Sequence, residues 1–541
     1  MTTAFASALR ERQPDPADRR WLFVPYDQLH DGLGPLAAED PDELGIVVVE
    51  SRAKAQRRPY HKQKLALVLA NLRQFCLEQQ ARGVAVRHVA GAGGYAELLE
   101  PVAREFGPLR VMRPAERELR AELEPLVVRH LLDVVPHDGW LTTTADFAAS
   151  HRNGPPWRMD AFYRHVRKRT GILMQGGGRS AGRPVGGRFS FDVQNRKAWR
   201  GEPPAPPPPQ FEPDAVTAEV LELVEARFGD HPGELDGASL PSTAADAERV
   251  WAWAKAHCLP GFGPFQDAMS TQSSSLFHTR LSPLLNLCRL LPARVVREAV
   301  ELDLPLASKE GFVRQLLGWR EFVRHVHEAT DGFRVLPPGL DVDVGDSERS
   351  GAAAPSFLDA REPLPAAWWG SASGLRCLDH CVTDVWRTGY GHHITRLMVL
   401  SNLAALLDVD PRELTDWFWV AYADAYDWVV EPNVLGMGTF AVGDLMTTKP
   451  YVAGAAYIDK MSDYCGGCAF DPARNCPVRA LYWAFLDRHK DRLEGNPRLA
   501  MPLRSLARRS PAQRREDRAV FEAVRVQLRA GEPVTPEDLS G

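Results

Sequence analysis

The sequence predicts an α/β amino-terminal domain on a parallel, Rossmann-like sheet, followed by an all-helical domain. Residues 20–140 alternate short apolar runs with helical patterns, and from Ala245 onward the pattern is helical almost throughout. Strand–helix alternation implies parallel strands with helices on both faces. A third observation, cysteine spacing near the end of the chain, puts a candidate metal centre in the helical part.

The elements follow in order. Residues 21–24, 46–49, 84–89, 109–112 and 132–135 read as buried strands. Leu65, Val68, Leu69, Leu72 and Phe75 recur at helical spacing between the second and third. Ligands of such sheets sit at the carboxyl ends of the strands. Asp27 and Glu50 each follow a strand and are candidates for that edge; the plainer readings are a turn residue and a solvated charge. The expected boundaries are 1–145 for the α/β domain, 146–245 for a connection and 246–541 for the helical domain. The connection holds a glycine-rich stretch (176–187) and a proline run (203–209) that should be extended. Between residues 161 and 200 there are ten Lys or Arg and one acid, Asp192. In a chain of net charge −5 this local excess suggests an anionic partner such as DNA, or else a solvated linker. In the helical part, Phe312, Leu316, Trp319, Phe322, Val323 and Val326 share one helix, and a second runs over 391–407, ahead of Asp410-Pro411.

At 541 residues, 44% hydrophobic and 25% charged, the chain can build two or three cores, which excludes a disordered or fibrous protein. No run of about 18 apolar residues predicts a membrane span, and the first twelve residues lack a signal-peptide pattern. Eight cysteines including a C-x2-C pair suggest metal ligation in a reducing compartment, hence a cytoplasmic protein, expected to be a monomer.

Cys465 and Cys468 are separated by two glycines, Cys476 precedes Pro477, and Cys377 lies upstream. Glycines let the backbone fold tightly around a shared centre, and Cys-Pro commonly ends an iron–sulfur ligand set. Spacing alone leaves a [4Fe–4S] cluster and a four-cysteine zinc site both open. His393 and Arg396 lie three apart on one helix face, and Asp424 is a candidate carboxylate for Arg396. His392 and His393 could be metal ligands, acid–base groups or hydrogen-bonded core residues. Six of the 14 tryptophans fall between Trp368 and Trp428, as core or as carriers of electrons beside a redox cofactor.

The segments YGHHITRLMVLSN (390–402), DAYDWVVEPN (424–433), TTKPYVAGAAYIDKMSDYCGGC (447–468) and CPVRALYW (476–483) resemble the iron–sulfur bacterial cryptochromes and photolyases, the prokaryotic (6-4) photolyase group. RPYHKQKLALVLANLRQF (58–75), FYRHVRKRTGILM (162–174) and LFHTRLSPLLN (276–286) extend the likeness through most of the chain. The resemblance implies an α/β antenna domain, a helical FAD domain and light-driven repair of UV-damaged DNA, or a blue-light photoreceptor related to it. It implies a [4Fe–4S] cluster on Cys377, Cys465, Cys468 and Cys476, and a 6,7-dimethyl-8-ribityllumazine antenna near Asp27 and Glu50. His393 matches the acid of (6-4) repair and His392 its neighbour, expected to matter less because it points about 100° away around the helix. Arg396 and Asp424 match an ion pair beside the flavin, and Thr279, Leu281 and Ser282 match a segment contacting FAD phosphates. Tyr451 matches a tyrosine near the lesion, Trp417 and Trp369 match the electron route, and the basic residues Arg183 and Arg188 are candidate DNA contacts. The chain differs from the family at Phe418, where relatives carry Tyr, in a seven-residue loop between Cys468 and Cys476, and at Gly178-Arg179-Ser180-Ala181. A photoreceptor without repair would keep flavin and cluster; a zinc-stabilised DNA-binding protein would have neither.

Overall fold

A computed structural model describes residues 3–176, 182–340, 342–345 and 351–539; the Gly178–Ala181 stretch lies outside the described residues. Five strands, β1 (Arg20–Phe23), β2 (Leu44–Ser51), β3 (Ala85–Gly91), β4 (Leu109–Met112) and β5 (Leu132–Val135), form one parallel sheet in the order β3-β2-β1-β4-β5. Ile46, Val47 and Val48 of β2 are wholly buried because helices cover both faces. The edge strands correct the expectation of five buried strands: β3 and β5 each bury few side chains, since no strand among the described residues pairs beyond them. Gly45 of β2 lets the Trp21 ring lie against the backbone, where a Cβ would come within 2.6 Å of it.

The helix Lys62–Ala81 is buried nearly all round. It lies against the sheet on one side and, on another, against the helix Ala215–Phe228, which buries Val216, Val220, Val224 and Phe228. Such a helix has no single apolar stripe. The proline run at 203–209 carries no regular structure.

The helical part contains the expected helix over 307–327, but a π-helical stretch, Arg314–Arg320, separates Leu306–Val313 from Glu321–Ala329. The second expected helix begins only at His393 and is π-helical over Thr395–Ser401. A third π-helical stretch, Pro432–Gly438, follows Asp427–Glu431. Widened turns of this kind are frequent at functional sites.

The segment 417–428 docks on the carboxyl edge of the sheet. Lys64 Nζ donates to the Trp419 and Ala425 carbonyls, the Arg58 guanidinium lies 3.8 Å above the Trp419 ring, and Tyr26 stacks on Tyr426. Asp424, in the middle of this segment, is thereby held from the α/β side. No helix among the described residues is long and apolar enough to cross a membrane.

Candidate functional site

A cavity of about 310 Å³ lies in the helical part. These three π-helical stretches line it, through Leu316 and Trp319, Arg396 and Leu397, and Asn433 and Val434, whereas a fourth, Ala254–Cys258, does not. Thr279, Leu281, Ser282, Arg396, Asp424, His392 and His393 are all in its wall. Arg396 holds Asp424 with two parallel bonds of 3.0 and 2.9 Å, and the Ser282 hydroxyl donates to the same carboxylate at 2.6 Å. Burial works to raise the Asp424 pKa, but Arg396 and Ser282 overcome it and hold the group below the ordinary value. Arg396 also donates to the Gly391 carbonyl and lies 3.9 Å over the Tyr422 ring. A mostly apolar wall with a few fixed polar groups suits a large planar cofactor.

The histidine pair has a third member that the sequence reading did not single out. His278 stacks on His392, centroids 4.4 Å apart and planes 5° apart, and meets His393 edge-on at 5.3 Å. Ring nitrogens of the three lie within 4.8 Å of one another. The expectation that His392 points away is corrected: it precedes the first helical residue, His393, so the 100° step does not apply and both rings reach the cavity. Burial, with Arg314 and Arg396, lowers the His393 pKa to about 4. Burial also lowers His278 and His392 well below the ordinary imidazole value.

Trp417 and Trp369 are not neighbours; Trp386 stands between them. Trp417 meets Trp386 perpendicularly at 6.0 Å, and Trp386 stacks on Trp369 at 5.6 Å. Trp417 is buried and Trp369 is 47% exposed, so the three indoles run from core to surface. Phe418, lining the cavity, contacts Trp417 at 5.1 Å.

Cys377, Cys465, Cys468 and Cys476 surround one small cavity, with Leu375, Ile458, Phe470 and Val478 as an apolar shell. Cys377 comes from the helix Arg376–Thr388 and Cys476 caps Pro477–Arg488. Gly467 sits at φ +104°, a conformation that favours glycine, and turns the chain between Cys465 and Cys468.

A third cavity, of about 70 Å³, opens at the sheet edge between Tyr26, Glu50, Lys54, Tyr95, Trp419 and Tyr426. Glu50 is no solvated charge: Arg73 binds it at 2.7 and 3.0 Å and His88 at 3.0 Å. Burial opposes its ionisation, yet His88 and Arg73 pull its pKa down to about 2. Asp27, next in sequence to Tyr26, lies in a buried turn outside the wall of this cavity and accepts from the Ala115 N–H, with Oδ1 unpartnered. Burial raises its pKa to about 6. Tyr451 is half-buried outside the wall of the large cavity, within electrostatic reach of Asp192, Arg196 and Arg498. Arg183 and Arg188 are exposed.

Residues 22–240 match the family described as deoxyribodipyrimidine photo-lyase-related protein, and residues 312–459 match the FAD binding domain of DNA photolyase. A (6-4) photolyase of Agrobacterium fabrum is 34% identical over 517 residues, covering 92% of this chain and 97% of the relative. A bacterial class III photolyase from Agrobacterium tumefaciens has a similar fold (TM-score 0.55, 15% identity, 94% of this chain and 98% of that one). So does the cryptochrome of Synechocystis sp. PCC6803 (TM-score 0.51, 15% identity, 92% and 95%). With an FAD-binding domain and this identity along nearly its whole length, the chain belongs to the photolyase family, among the bacterial (6-4) photolyases and their relatives.

Proposed function

We propose that this protein is a light-driven, FAD-dependent lyase that repairs (6-4) pyrimidine photoproducts in UV-damaged DNA. One observation carries the reading: the Arg396–Asp424 pair and the His392–His393 pair face one cavity. FAD would be held by Thr279, Leu281, Ser282, Arg396 and Asp424, and in its reduced form supplies the electron released by light. The residues fit such a group, because the cavity wall carries buried ring nitrogens without partners, on His278 and His392, beside a fixed cation.

The chain's own residues do the rest. Arg396 and Asp424 present a fixed dipole in a water-poor pocket, where it acts more strongly than in water. His393 is the proton donor to the lesion. In the free protein its imidazole is neutral, and the negative charge of docked DNA raises its pKa toward the working range. The lesion reaches the cavity by leaving the stack, and Arg183, Arg188 and the surrounding basic segment hold the phosphates. Tyr451 contacts the flipped lesion at the rim. Trp417, Trp386 and Trp369 bring electrons from the surface to restore the reduced cofactor.

The four cysteines hold a [4Fe–4S] cluster. Four thiols around one small cavity with an apolar lining suit such a cluster, and the Cys476-Pro477 ending supports it. The cavity beside Glu50 takes the lumazine antenna, with Tyr26, Tyr426 and Trp419 as stacking rings. Released chromophores from protein made with lumazine present should contain it; FAD alone would remove the antenna. Blue-light repair of a defined (6-4) oligonucleotide tests the function; flavin photoreduction without repair would favour a photoreceptor.

A further inference from the structure

Of the imidazole trio the proposed repair reaction assigns a task to His393 alone, and His278 meets that ring edge-on at 5.3 Å. It is buried, and non-glycine residues on both sides of it adopt positive φ: Leu276 at 44° and Arg280 at 54°. A backbone held so is fixed by its surroundings, here aiming the ring into the cavity. Its Nε2 is solvent-excluded without a partner. In the tautomer protonated at Nδ1 that nitrogen presents a bare lone pair.

We propose that His278 is a positioning residue for the acid, its Nε2 lone pair accepting from the neighbouring imidazole N–H when His393 carries its proton. The inference rests on the reading of His393 as acid. An unsatisfied buried acceptor favours whatever brings it a donor, and a charged N–H is the strongest donor within reach. Without it His393 faces Arg314 and Arg396, both of which oppose its charge, with only Asp192 in favour. His278 itself faces His392, His393 and Arg396, all of which keep it neutral and so an acceptor. Asp424 offers little relief, being engaged by Arg396 and Ser282. When His393 gives its proton to the lesion it returns to neutral, and solvent resupplies the proton. The trio is a poor cation site, because two guanidinium groups stand beside it and the parallel rings of His278 and His392 do not converge their lone pairs.

The test is the protonation of His393 itself, read by 15N NMR on full-length, FAD-loaded protein labelled at histidine, with a (6-4) oligonucleotide bound. Loss of a signal in His393→Ala assigns the resonance. His278→Phe keeps a stacking ring but removes the lone pair; His278→Gln restores an acceptor. The expected midpoint falls in His278→Phe by about one unit, a tenfold change in the protonation constant, and recovers in His278→Gln. Repair by His278→Phe should then be lost at lower pH than in wild type, because the active form is the protonated one. Equal midpoints in wild type and both variants would overturn the proposal. A shifted midpoint in a protein that repairs nothing would leave it standing and remove the repair function instead. If His278→Phe loses FAD, the comparison of wild type with His278→Asn decides.

Discussion

The indole N–H of Trp386 and that of Trp417 donate to one acceptor, the carbonyl oxygen of Trp368, each at 2.9 Å. The shared acceptor holds the two rings perpendicular and sets Trp386 between the buried Trp417 and the half-exposed Trp369. His61 supports the arrangement, stacking on Trp386 and bonding to its carbonyl at 3.0 Å.

Trp386→Phe keeps an aromatic ring but removes the oxidisable indole. Photoreduction of bound flavin by an external reductant should slow markedly at unchanged FAD content, followed by flavin absorbance under blue light. Wild-type kinetics would take Trp386 out of the route.

Breaking the Arg396–Asp424 pair leaves an uncompensated buried charge. Asp424→Asn should cost roughly 3 kcal/mol of stability and reduce FAD retention, because removing one partner of a buried pair is strongly destabilising. Thermal unfolding and flavin content measure both; a variant with wild-type values would show that the pair is not needed.

Asp27 makes a prediction about pH. Its folded pKa is raised to about 6, from an ordinary value of 3.8, chiefly by burial. The folded state then binds more protons than the unfolded state between pH 3.8 and 6, so stability falls as pH rises through that window and stays low above it. The shift corresponds to about 3 kcal/mol. Asp27→Asn should raise the melting temperature at pH 7.5 and leave it nearly unchanged at pH 4. An equal effect at both would mean that Asp27 is ionised in the folded protein at both.

Much of this was legible in the sequence because it depends on short-range pattern. β1, β2 and β4 are runs buried on both faces, and each begins and ends close to its apolar residues. Asp424 could be paired with Arg396 because a buried guanidinium needs a carboxylate. His278 was not found because its neighbours, Leu276 and Phe277, read as ordinary core and its partners lie more than a hundred residues away. Trp386 escaped for the same reason: its role lies in the Trp368 carbonyl, which leaves no mark on composition. The π-helical stretches have the side-chain periodicity of plain helices over any short window. Exposure of β3 and β5 follows from strand order, which the apolar runs do not encode.

Cluster ligation predicts that Cys465→Ser or Cys468→Ser lowers iron and FAD together, since metal binding is part of the folding energy. Cys381→Ser should retain iron, because Cys381 is buried, donates to the Tyr464 hydroxyl at 3.8 Å and stays outside the cysteine cavity wall. Normal iron in either of the first two variants would refute the ligand assignment.

The most direct measurement is repair of a defined (6-4) oligonucleotide under blue light by wild type and His393→Ala. Wild type should restore the bases in the light and not in the dark. His393→Ala should be slower by about 100-fold or more, the usual worth of a positioned acid, while its FAD and photoreduction persist. Repair by His393→Ala at the wild-type rate, or a wild type that photoreduces its flavin and repairs nothing, would contradict the proposed function.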